Sequence, residues 1–114
     1  MSNIAKKAVE YKVRANNLFK RGKYTDAIHD YETALSELNV IDRKYYEMIN
    51  LSNIISIRLE CLNNIAMCYL VLKDYEKVID YTSQVLIINP NNFLALSYKA
   101  KALIGLGHKY DAID

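Results

Sequence analysis

Apolar positions along this chain recur at helical rather than strand spacing. Ala27, Ile28, Tyr31, Ala34 and Leu35 make one stripe, and Val78, Ile79, Tyr81, Val85 and Leu86 make another. Steps of three and four residues put each set on one face of an α-helix. Ahead of them, Tyr11, Ala15, Leu18 and Phe19 share a core face, with Val9, Val13, Asn16 and Lys20 on the other side. Small residues recur where paired helices must approach closely: Ala15 with Ala27, Ala66 with Val78, and Ala100 with Ala112, each pair twelve residues apart. Ala66 and Ala100 are 34 residues apart, the period of a helix-turn-helix solenoid. The pattern predicts an all-α solenoid of two full repeats and a truncated third, with an extended helix between repeats one and two.

Taken in order, the first helix is predicted from about Asn3 to Arg21, stopped by Gly22 where a left-handed residue costs least. The second starts near Thr25, read as its cap, and runs to about Leu38. Ala15 and Ala66 are 51 residues apart, one period plus 17. The surplus, about 42–58, reads as an amino-terminal extension of the third helix, with a break near 50–53. A structureless loop of that length is unusual, and Ile54, Ile55 and Ile57 argue against exposure. The third helix then continues to about Leu72, and the fourth spans Tyr75 to Ile88. Asn89-Pro90-Asn91-Asn92 makes a turn, because proline disfavours helix at the residue before it. The fifth helix runs from Phe93 to Leu106 and stops at Gly107, and a sixth begins near Lys109 and is cut off at Asp114. The chain therefore reads as a single domain, 1–114: repeat one about 8–41, the insertion about 42–58, repeat two about 59–92 and a partial repeat three at 93–114. A repeat cannot bury its apolar face alone, so Leu96, Ala100 and Leu103 lack a cover. The expectation is either a fragment of a larger protein or an exposed face covered by another copy, with self-association through the uncapped third repeat or fraying of the last helix.

Composition narrows the chemistry. Hydrophobic residues are 52% and charged ones 25%, an ordinary globular balance. A net charge of +2 gives no electrostatic argument for nucleic acid or an anionic membrane, and no basic stripe or aromatic platform adds one. No apolar run is expected to approach the ~18 residues of a membrane span. The charged start, Lys6, Lys7, Glu10 and Lys12, lacks the apolar core of a secretory signal. Cys61 and Cys68 are seven residues apart on one predicted helix, about 10 Å, too far for a disulfide. They read as buried thiols in a reducing, cytoplasmic setting. His29 and His108 have no metal-spaced partner, and Asp26, Asp30 and Glu32 read as solvated charge. No catalytic residue, cofactor or metal is expected in this chain.

Three stretches carry a resemblance. Ala15-Asn16-Asn17-Leu18-Phe19-Lys20-Arg21-Gly22-Lys23-Tyr24 looks like the opening G-N-x-x-F-K-x-G-x-Y of the tetratricopeptide repeat (TPR) family, with Ala for the first Gly. Asn64-Ile65-Ala66-Met67-Cys68-Tyr69-Leu70 with Lys73-Asp74-Tyr75, and Asn89-Pro90-Asn91-Asn92, are similar to its second repeat and its following link. Within the family the chain resembles the TPR domains of co-chaperones, the FK506-binding immunophilins among them. That resemblance implies a concave groove lined by the first helix of each pair. It also implies a partner: the acidic C-terminal tail of a cytosolic heat-shock chaperone, held by its free carboxylate.

The family's carboxylate clamp uses five positions. Lys12, Asn16 and Asn64 match it, whereas the two third-repeat cations fall on Leu94 and Tyr98. A terminal carboxylate needs charge-assisted donors, so the implied peptide-binding set is Lys12, Asn16, Asn64, Tyr98 and Lys101. Lys101, one turn beyond Tyr98, either replaces a lost cation or is a solvated surface lysine. The groove inventory extends through Val9, Val13, Lys20, Glu60, Asn63, Met67 and Ser97. Two other readings stay open: a scaffold with a degenerate clamp that takes an internal peptide or helix, and the targeting module of a peptidyl-prolyl isomerase whose catalytic domain lies outside this chain.

Overall fold

The computed structural model describes residues 5–44 and 51–111, and every element in it is a helix. They are α1 (Lys6–Lys20), α2 (Tyr24–Lys44), α3 (Leu51–Val71), α4 (Tyr75–Ile88) and α5 (Phe93–Asp111). The chain gathers into two compact units that divide within α3, Met1–Cys61 and Leu62–Asp114.

In the first unit α1 packs along α2. Ala8 and Ala15 meet a buried stripe of Ala27, Ile28, Tyr31, Ala34 and Leu38, and the alanines let the two backbones close. Tyr11, Leu18 and Phe19 are half-buried around it. The turn follows from hydrogen bonding: Lys23 N–H donates to the Leu18 carbonyl at 2.9 Å and Gly22 N–H to that of Phe19 at 3.0 Å. This Schellman arrangement needs a left-handed residue, and Gly22 supplies it at φ +77°.

The second unit repeats the device. Asp74 N–H donates to the Tyr69 carbonyl at 2.9 Å and Lys73 N–H to that of Leu70 at 3.1 Å. Here the left-handed residue is Lys73, at φ +64°, so a side chain bears a strain that glycine escapes. Asp74 then caps α4 by accepting from Lys77 N–H, and Asn92 caps α5 by accepting from Ala95 N–H at 3.0 Å. Ala66, Val78 and Ala102 form a fully buried hub, wrapped by the half-buried Tyr69, Leu70, Tyr75, Ile79, Tyr81 and Tyr98. Thr82 is buried as well and satisfies its hydroxyl on the carbonyls of Val78 and Ile79.

Several boundaries differ from the expectation. The second helix begins at Tyr24, so Thr25 lies in its first turn and is no cap; the Lys23 carbonyl already accepts from Ala27 N–H at 2.9 Å. It ends at Lys44 rather than Leu38, because buried Ile41 continues the Tyr31, Ala34, Leu38 stripe. Residues 42–44 of the insertion close α2 instead of extending the third helix, residues 45–50 lie outside the described residues, and 51–58 is the expected extension, helical without a break over 51–53. Ile54 is buried there, but Ile55 is 41% exposed. The fifth helix passes through Gly107 to Asp111, which removes both the stop at Gly107 and the sixth helix from Lys109. A glycine at ordinary φ only lowers helix stability by about 1 kcal/mol; it ends a helix when it takes the left-handed turn, as Gly22 does.

Ala100 is exposed, with Ala95 and Ala102 buried instead. Its register partner, Ala112, falls outside the described residues. Leu96 and Leu103 are exposed beside it.

Among the described residues one stretch, Asn53–Val71, 19 residues long, meets the length and composition of a membrane span, contrary to the sequence expectation. Its charged members are engaged in the fold: Arg58 donates to Asn39 Oδ1 at 2.7 Å, and Glu60 accepts from Lys12. Part of its apolarity is buried in the fold, at Ile54, Cys61, Leu62, Ile65, Ala66 and Cys68, while Ile55 and Val71 are exposed.

Candidate peptide-binding site

A cavity of about 490 Å³ opens in the first unit. The start of α1 supplies Ala5, Lys6, Val9, Glu10 and Lys12, and the front of α3 supplies Asn53, Ser56, Ile57 and Glu60. Helical periodicity explains both walls, since residues three and four apart line one face of a helix. Across the cavity Lys12 Nζ donates to Glu60 Oε1 at 2.9 Å, with the lysine side chain 17% exposed and the glutamate 44%. Two lysines and two glutamates share the lining with apolar Val9 and Ile57. The lining thus combines charged groups of both signs with an apolar surface.

Further along α1, half-buried Asn16 has its Oδ1 taken by the Tyr31 hydroxyl, which donates to it and orients the amide. Arg14 binds Asp30 bidentately, Nε to Oδ2 at 2.6 Å and Nη2 to Oδ1 at 2.8 Å. Asp30 is therefore not solvated charge: it is 5% exposed at its side chain, and the Arg14 hydrogen bond holds its carboxyl below the usual carboxylate range against the opposing effect of burial. The Arg14 guanidinium also lies 5.1 Å from the centre of the Tyr11 ring. His29, close to Asp30, is exposed.

The other residues of the expected clamp belong to the second unit. Asn64 is half-buried on α3. Its neighbour Asn63, expected in the groove, is buried and donates to Asn92 Oδ1 at 3.2 Å, tying α3 to the cap of α5. Tyr98 is half-buried against the Ala66, Val78 and Ala102 hub, and burial pushes its phenol up. Lys101 and Leu94 are exposed. Lys12 and Asn16 thus fall in one unit, and Asn64, Tyr98 and Lys101 in the other.

Cys61 and Cys68 are free and buried, each thiol pushed up to about 12, chiefly by burial; such thiols are inert at neutral pH. Among the described residues no three His, Cys, Asp or Glu side chains gather as they would around a metal ion. Ala5, Lys6, Glu10, Asn53, Ser56 and Ile57 line the cavity and lie outside the groove expected from the sequence. Steps of three and four residues back from Val9 and Val13 on α1, and from Glu60 on α3, reach all of them.

Comparison with known proteins gives the family. The tetratricopeptide repeat profile matches residues 59–92. The C-terminal TPR-containing domain of a Plasmodium falciparum FK506-binding protein superposes with a TM-score of 0.78 at 31% identity, over 92% of this chain and 69% of that one. The chain belongs to the tetratricopeptide repeat family. It is a TPR domain related to those of FK506-binding proteins.

Two longer relatives extend the comparison. Peptidyl-prolyl cis-trans isomerase FKBP42 of Arabidopsis thaliana is 31% identical over 108 residues, 90% of this chain and 28% of that protein. Human zinc finger CCCH domain-containing protein 7A is 34% identical over 111 residues, 94% of this chain and 11% of that protein. The chain thus spans 28% of one curated relative and 11% of the other. A TPR domain is a protein-interaction module, so its function lies in the surfaces it offers to other proteins.

Proposed function

We propose that this TPR domain is a co-chaperone-like adaptor that docks the acidic C-terminal tail of a heat-shock chaperone in the cytoplasm, by the free carboxylate of that tail. The observation that carries the reading is the Lys12–Glu60 pair at 2.9 Å inside the first unit's cavity. It supports a carboxylate site, because the protein's own Glu60 demonstrates that a carboxylate reaches the Lys12 ammonium there. Asn16, Asn64, Tyr98 and Lys101 are proposed as further peptide-binding residues on the strength of the family resemblance. The relationship to FK506-binding proteins favours such a partner, and it raises the further proposal that the domain targets a peptidyl-prolyl isomerase encoded in the same longer chain.

A second reading has its own observation. Leu94 is exposed where the clamp expects a cation, and Phe93 beside it is 79% exposed. That surface suits an internal segment or helix of a partner.

Calorimetric titration with an acidic chaperone-tail peptide, beside the same peptide amidated at its end, separates the two. The adaptor reading expects binding that is lost on amidation and on Lys12→Ala. Equal binding of both peptides would transfer the function to the apolar surface, and binding of neither would remove the carboxylate reading.

A further inference from the structure

Resting on the carboxylate reading, the charge arrangement of the same cavity says which tails it prefers. Lys12 is largely covered and already satisfied by Glu60, whereas the Glu60 side chain is 44% exposed. Glu10, on the α1 wall, is exposed, and so is Lys6. An incoming carboxylate must therefore displace or share the Glu60 contact, while an incoming cation meets accessible carboxylates at once. An all-acidic tail brings further negative charge against Glu10 and Glu60, and like charges at this range repel. A tail with a basic side chain near its terminal carboxylate offers each wall its complement.

We infer that Glu60 is a specificity-determining residue, and that the preferred ligand is a C-terminal peptide combining a free carboxylate with a nearby lysine or arginine. When such a peptide binds, its carboxylate takes over Lys12, with Lys6 beside it, and its cation takes over the released Glu60. Purely acidic tails bind as well, but more weakly, because they leave Glu60 unpaired and repelled.

Two peptides of equal length and identical free carboxylate ends test this, one with glutamate and one with lysine two residues before the end. Each is titrated into the wild-type domain and into Glu60→Gln and Glu10→Gln, with circular dichroism confirming that the variants fold. The wild-type domain is expected to prefer the lysine peptide. Glu60→Gln frees Lys12 for both peptides and removes the partner of the peptide lysine, so it is expected to raise affinity for the glutamate peptide relative to the lysine peptide by about two- to fivefold, the range of single exposed ion pairs. Glu10→Gln shifts that ratio the same way by less, and the contrast shrinks in high salt. Equal shifts for both peptides, or none, in both variants would overturn the inference. If the peptides also lose affinity on amidation, the carboxylate reading survives that result. If neither peptide binds any of the three proteins, the carboxylate site and its selectivity fall together.

Discussion

The two units use the same turn and different glue. In the first, the interior is a plain stripe of alanine, isoleucine and leucine around Tyr31, and its polar contacts are specific: Arg14 to Asp30, Tyr31 to Asn16, Lys12 to Glu60. In the second, the hub is three small residues, Ala66, Val78 and Ala102, surrounded by four half-buried tyrosines. Tyr69 and Tyr81 stack with ring centres 5.8 Å apart. The surfaces diverge accordingly. The first unit presents a charged cavity, while the second exposes Phe93, Leu96, Leu103 and Ile104. One repeat motif thus provides two kinds of binding surface, because the motif fixes only the positions where helices touch and leaves the outward ones to vary.

The largest effect that would break this comparison is expected at Tyr31. It is 1% exposed, and Tyr31→Ala should cost about 3–5 kcal/mol, the range for emptying a buried aromatic site. Tyr31→Phe keeps the packing and should cost about 1 kcal/mol through the lost hydrogen bond to Asn16. Tyr69→Ala, at a half-buried ring of the second unit, should fall well below Tyr31→Ala in urea denaturation. Equal losses at the two tyrosines would show that the units do not differ in how their aromatic residues are used.

An intermediate effect is expected at Gly105. A Cβ there would lie 2.5 Å from Cζ of Tyr75 and 2.7 Å from two further ring atoms. Gly105→Ala gains helix propensity of about 1 kcal/mol and loses about 1–3 kcal/mol to overpacking. The net expectation is a modest loss, with a change in the Tyr75 ring signals by NMR. A gain in stability would mean that the tyrosine ring is held loosely, and the hub would then be less tightly specified than its burial implies.

The smallest effect concerns Arg14, whose side chain is 63% exposed; it is full at neutral pH and fades in acid. Asp30 has its carboxyl lowered in the folded state. Its contribution to stability is therefore full above the unfolded value, about 4, and is lost as pH falls through the lower folded value. Arg14→Ala should move the acid unfolding midpoint upward, because burial without the arginine favours the neutral carboxyl. An unchanged midpoint would show that the pair is incidental to the first unit.

Much of this was legible in the sequence. The apolar spacing located the five helices, and Tyr75–Ile88 coincides with its expected span. Gly22 announced its turn because only glycine takes that backbone cheaply. The equivalent turn at Lys73 could be inferred only from register, since lysine carries no such signal. Asp30 looked solvated because its partner is 16 residues away on another helix, a distance that a single-helix wheel does not bridge. Asn63 looked like groove for the same reason, its partner Asn92 being 29 residues on. In the candidate site, Val9, Lys12 and Glu60 followed from register. Asn53, Ser56 and Ile57 did not, because they belong to the insertion that breaks the period.

By itself the sequence determined the helical class, the repeat, the close-approach alanines and the chemical types available to a ligand, since all of these depend on local periodicity and side-chain identity. Tertiary structure alone decided which charges are partnered: that Lys12 is held by Glu60, that Asp30 is buried with Arg14, and that Tyr98 packs on the hub. A charge's energy depends on what lies within a few ångströms of it, and between separate helices that distance is fixed only once they have packed.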